Sequence, residues 1–118
     1  INFENGCGYC MAGHTVPARG AKAPEDAIQA IRAGVPIADP RLEALRNVVQ
    51  ARGVTRGHVG DAVVDQFIAA GFTRHQVLEV IQAIAVKVIS SYTNHVVHTP
   101  NDAFMAKTAW QRPALAAA

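Results

Sequence analysis

A chain of 118 residues, half of them apolar, 6% aromatic and 17% charged, has the composition of one globular domain of ordinary size with enough apolar side chains to bury a core. Its formal charge of +2 is spread over 11 scattered lysines and arginines without a basic run or interleaved aromatics, so no nucleic acid is expected as a partner. The most apolar stretch, residues 77–89, is broken by Glu79, Gln82 and Lys87 and is too short to span a bilayer, so no membrane is expected either.

Proline and glycine recur at intervals of roughly 10 to 20 residues, and no run alternates apolar with polar side chains as a half-buried strand would. The pattern predicts an all-α domain of about six helices over residues 1–112, followed by a tail at 113–118. A first helix is expected from Gly8 to Arg19, ending near Gly20. The second starts at Pro24 with Glu25 and Asp26 in its first turn, and it ends at Gly34. For the third, Asp39 offers an N-cap before Pro40, and Leu42, Leu45, Val48 and Val49 keep helical spacing up to Gly53. The fourth is expected from about Arg56 to Ala70, carrying Val59, Val63 and Phe67. Thr73 with Gln76 reads as a capping box opening a fifth helix that reaches His98. At 1.5 Å per residue that helix is roughly 37 Å long, more than a domain of this size comfortably covers, so part of its broad apolar stripe is expected to meet another subunit. Thr99, Pro100, Asn101 and Asp102 then suggest a cap for a short last helix through Phe104 and Met105.

No signal-peptide pattern opens the chain, and its two cysteines are too close in sequence to close a stabilising loop, so a reducing, cytoplasmic setting is expected. The first residue is Ile1, from which the natural beginning is expected to be missing.

Those two cysteines, Cys7 and Cys10, stand at C-x-x-C spacing, with Tyr9 between them and His14 four positions past the second. On a helix, Cys7, Cys10 and His14 fall at i, i+3 and i+7 and share one face. A cysteine in a first helical turn meets the positive end of the dipole and unpaired N–H groups, which favour thiolate. His14, at i+4 from Cys10, is placed to exchange its proton. A thiolate that attacks a peroxide becomes a sulfenic acid, and a thiol three residues away can condense with it to a disulfide. Other readings stand beside this one. Cys7 and Cys10 fit as small core residues, or, with His14 and either His95 or His98, as a zinc site. A redox-sensing or assembly module could use the same thiols without turnover. A thioredoxin-like role is disfavoured, since no βαβ pattern surrounds the motif.

Cys7-Gly8-Tyr9-Cys10 followed by His14 and Thr15, the Ala70-Gly71-Phe72-Thr73 turn before a long helix, and Asn94-His95 leading to Thr99-Pro100 and Asp102 resemble the carboxymuconolactone decarboxylase-like superfamily, and within it the alkylhydroperoxidase D type. These features cover nearly the whole chain. The resemblance implies an α-helical homo-oligomer, a trimer or hexamer, acting as an antioxidant thiol peroxidase or disulfide reductase. Cys10 would be the peroxide-attacking thiolate, Cys7 the resolving thiol and His14 the proton relay. A redox-active Cys7–Cys10 disulfide would be recharged by an external thiol or lipoyl-type reductant, with no bound cofactor and no metal. In peroxidase members a glutamate on a preceding helix completes the relay; its position lies before Ile1, and Glu4 is the nearest candidate. The decarboxylase or lactone-processing activity of other members does not use a cysteine pair, which argues against it here.

Among the remaining histidines, His95 is a candidate pocket residue near the end of the long helix, while His58 and His75 read as surface residues. Tyr92 and Trp110 read as packing or interface residues.

Overall fold

The computed structural model of the chain describes residues 1–114, which form five α-helices and one 3₁₀ helix with no strand among them. Of the expected tail, residues 115–118 lie outside the described residues. In chain order the helices are α1 (Gly8–Gly20), α2 (Glu25–Ala33), α3 (Pro40–Val54), α4 (Asp61–Ala69) and α5 (Arg74–Val97), and the 3₁₀ helix is Ala103–Thr108.

Local chemistry sets most of these boundaries. The Asp39 carboxylate accepts from the N–H groups of Arg41 and Leu42, both at 2.9 Å, with Pro40 entering α3 where no N–H is needed. Thr73 and Gln76 form the reciprocal capping box that opens α5: the Gln76 N–H donates to Thr73 Oγ1 at 3.2 Å, and the Thr73 N–H to Gln76 Oε1 at 2.9 Å. Gly34 ends α2 at φ +73°, and a Cβ there would stand 2.2 Å from the ring of Phe3, so both backbone and space require glycine.

Two boundaries differ from the sequence reading. The fourth helix begins at Asp61 rather than Arg56, because Arg56 and Gly57 take left-handed conformations, φ +55° and +92°, that turn the chain after α3. Asp102 does not cap the last helix with its side chain; its Oδ2 instead accepts from the Tyr9 hydroxyl at 2.7 Å, and the segment behind it winds as 3₁₀.

The long α5 serves two packing groups. Its first half, through Val77, Val80 and Ile84, closes on α3 and α4 around Val48 and Phe67, where Phe72 stacks on Phe67 with centroids 4.2 Å apart. Its second half lies against α1. A clamp centred on Arg32 holds the C-terminal segment to the other side of α1: the guanidinium donates to Thr15 Oγ1 at 2.8 Å, to the Thr108 carbonyl at 3.2 Å and to the Ala109 carbonyl at 3.0 Å. Trp110 Nε1 donates back to the Arg32 carbonyl at 2.8 Å, and Thr108 Oγ1 donates to the Ala12 carbonyl at 2.9 Å. Helix α1 is thereby fixed on both flanks, so side chains at its start hold their positions against α5.

Away from these contacts α5 leaves Leu78, Ile81, Ile89, Tyr92 and Val96 exposed, with Ile89 at 69%. No helix among the described residues is long and apolar enough to cross a membrane.

Candidate active site

The motif's position follows from the short coil before it. Residues 1–6 turn back on themselves through bonds from the Asn5 N–H to the Ile1 carbonyl at 2.9 Å and from the Gly6 N–H to the Phe3 carbonyl at 3.0 Å. The Cys7 N–H then donates to the Asn2 carbonyl at 3.1 Å, which brings Cys7 to the N-cap of α1. There its sulfur does what a serine or aspartate usually does, accepting the Cys10 N–H at 3.2 Å. Gly8 lets the Trp110 carbonyl close over the same turn, since a Cβ would meet that oxygen at 3.1 Å.

Cys7 and Cys10 are free thiols, 1% and 3% exposed, and each interacts with the other. Their surroundings are polar although buried. Ser91 Oγ lies 3.5 Å from Cys10 Sγ, and Asn94 Nδ2 donates to Cys10 Sγ at 3.5 Å and to Cys7 Sγ at 3.9 Å. One turn earlier on α5, Lys87 Nζ stands 2.6 Å from His14 Nε2. The partners run in opposite order, Asn94 with Cys7 and Cys10, Ser91 with Cys10, and Lys87 with His14, so α1 and α5 pass antiparallel. The motif residues on one helix face a matching stripe at i, i+4 and i+7 on the other.

This arrangement treats the two thiols differently. Burial pushes the Cys7 thiol up, and its contact with Cys10 adds to that. Burial also acts on Cys10, yet bonds from Cys7, Ser91 and Asn94 and the Lys87 charge outweigh it, and the thiol titrates below its ordinary value. Cys10 is thus the more readily ionised of the pair. Partial burial, followed by the Lys87 charge, lowers His14, so this ring holds a proton less readily than a free histidine.

The other residues singled out from sequence lie apart from this cluster. Glu4 stands 3.9 Å from Arg112 and makes no hydrogen bond to His14. His95 is exposed, beside Asn94 in sequence but on the solvent side. His98, also exposed, takes φ +51° at the C-cap of α5, and His75 pairs with Glu79 at 3.6 Å on the surface. Among the described residues, no three His, Cys, Asp or Glu side chains converge as metal ligands would; none does so around His14, whose Nε2 faces the Lys87 ammonium.

Ser91 and Lys87 were not singled out from the sequence. The signal that marks them is a polar trio, Lys87, Ser91 and Asn94, recurring at i, i+4 and i+7 along the second half of α5. Beside His14 and Lys87 opens a cavity of about 290 Å³, which Arg32, Met11 and Phe3 also line. A larger, mainly apolar cavity of about 420 Å³ lies between the N-terminal coil, α2 and α3, and shares Phe3, Ile28 and Ile31 with the first. Compared with protein-family models and with curated proteins, the chain matches none.

Proposed function

We propose that the chain is a thiol-dependent oxidoreductase of the alkylhydroperoxidase D kind that it resembles, reducing hydroperoxides or disulfides through Cys7 and Cys10. The carrying observation is that one amide, Asn94 Nδ2, serves both sulfurs, while the Ser91 hydroxyl stands against Cys10 and the Cys10 N–H donates to Cys7. Cysteines kept only for packing sit among apolar neighbours, whereas these two share donors suited to a thiolate.

In this reading the Cys10 thiolate attacks the terminal peroxide oxygen. The S–O bond forms as the O–O bond breaks, the sulfur loses two electrons, and the alkoxide leaves with a proton supplied through His14. Cys7 then attacks the sulfenic sulfur; the S–S bond forms, the S–O bond breaks, and the hydroxyl leaves as water with the Cys7 proton. An external dithiol, small or lipoyl-type, returns the disulfide to two thiols and is itself oxidised. Because both sulfurs are buried, substrate reaches Cys10 through a local opening of the side chains above it. The chain would work without a bound cofactor, in a reducing cytoplasm. The exposed apolar stripe of α5 favours a homo-oligomer built on that face.

The test is peroxide consumption with a dithiol reductant. Cys10→Ser is expected to abolish it, and Cys7→Ser to allow one turnover and then stall as a sulfenic acid or mixed disulfide, resolved by mass spectrometry. Full activity in both variants would refute the reading.

A further inference from the structure

We propose that Lys87 is a positioning residue of the thiol site: its ammonium donates to His14 Nε2, fixes that ring as the neutral tautomer protonated on Nδ1, and sets a positive charge on the side of the cluster that faces Cys10. The inference concerns the site of the proposed function and deepens it by naming what orients its histidine.

The geometry rests on an unusual neighbour. At 2.6 Å, Lys87 Nζ and His14 Nε2 are within hydrogen-bond distance, and a lysine ammonium has donors only. Nε2 must therefore accept, and the proton of the neutral ring falls on Nδ1. A carboxylate in this place would draw a second proton onto the imidazole; an ammonium repels one. Lys87 also lies on the α5 face that carries Ser91 and Asn94 to the Cys10 sulfur, one turn from Ser91. Three groups on one helix thus meet three on another, and the lysine is the only full charge in either set.

The surroundings leave that charge uncompensated. The cavity beside His14 and Lys87 is also lined by Arg32 from α2, while Cys7, Cys10 and His14 face the stripe from α1. No carboxylate lines this cavity among the described residues; Glu4, the acidic residue of the N-terminal coil, stands by Arg112. Arg32 donates to Thr15 and to the Thr108 and Ala109 carbonyls, and none of these bonds is to His14. The directions of the His14 and Cys10 shifts, both downward with Lys87 among their causes, agree with this geometry.

The experiment reads tautomer and titration in the full chain, neither of which needs turnover. Nitrogen NMR of the wild-type His14 ring is expected to show a pyridine-like Nε2 and a pyrrole-like Nδ1. In Lys87→Gln, which keeps a donor but removes the charge, the His14 midpoint should rise. In a Cys7→Ser background the same change should slow alkylation of Cys10 by iodoacetamide at pH 7 by roughly threefold, and Lys87→Arg should restore both. A wild-type ring protonated on Nε2 overturns the proposal even if Lys87→Gln does not fold, and so do unmoved midpoints in a folded Lys87→Gln. Shifts as expected in a protein that consumes no peroxide would leave Lys87 in its place and remove the proposed function instead.

Discussion

Asn94→Leu removes the one donor shared by both sulfurs and keeps the same number and branching of side-chain heavy atoms. Hydrogen bonds to charged groups contribute about 1.5 to 3 kcal/mol and those to neutral ones about 0.5 to 1.5. At 3.5 Å to Cys10 and 3.9 Å to Cys7, a bond divided between two large sulfurs falls at the low end of each range. The thiolate therefore loses about 1.5 kcal/mol and the thiol about 0.5, a difference of about 1 kcal/mol against the ionised form. With 1.4 kcal/mol for each factor of ten, Cys10 in a Cys7→Ser background should be alkylated about fivefold more slowly near neutral pH. Asn94→Asp sharpens the test, because a carboxylate facing two sulfurs adds repulsion to the lost donor. The expected order of rates is wild type, then Leu, then Asp, measured with iodoacetamide on protein whose helix content is unchanged. An aspartate variant that reacts as fast as wild type would refute the claim that Asn94 stabilises negative charge on Cys10.

Two further outcomes follow from the same structure. With its pKa lowered on folding, His14 binds protons more readily in the unfolded chain, so stability falls as pH drops below the ordinary histidine value of 6.5 and levels off below the folded value; His14→Asn should flatten that part of a melting-temperature series, and an unchanged slope would contradict it. Ile89→Asp places a charge on the exposed stripe of α5, where a lone protomer would tolerate it within about 0.5 kcal/mol, so sedimentation should report a smaller species with little loss of monomer stability if that face joins subunits, and no change in size if it does not.

The fold was legible where short-range chemistry decides. Asp39 before Pro40, Thr73 with Gln76, and Gly34 at the end of α2 act through atoms a few residues apart, and each marks a boundary seen in the structure. Reading failed where a distant partner competes with the local one. Asp102 stands where a cap belongs, yet the Tyr9 hydroxyl from the other end of the chain takes its carboxylate. Arg56 has no glycine-like freedom to announce a left-handed turn, and its conformation delays α4 to Asp61. The site divides in the same way. Cys7, Cys10 and His14 lie within one sequence window and share a helix face whatever else the chain does. Ser91 and Lys87 become their neighbours only through the antiparallel register of α1 and α5, which no local pattern specifies.

That register carries a cost that bears on function. Ser91 is fully buried, and among the described residues its hydroxyl has only the Cys10 sulfur, a weak partner at 3.5 Å, as a side-chain hydrogen-bond contact. A seam kept for stability alone would be better filled by alanine or leucine, because a buried hydroxyl loses water that a neutral thiol poorly replaces. The balance changes once the sulfur is ionised: the same hydroxyl and the Asn94 amide then become charge-assisted donors about twice as strong as neutral ones. The polar stripe on α5 is thus poorly matched to the thiol and well matched to the thiolate. Such a mismatch in the resting state, relieved in the reactive one, is what a site preorganised for charge on Cys10 requires.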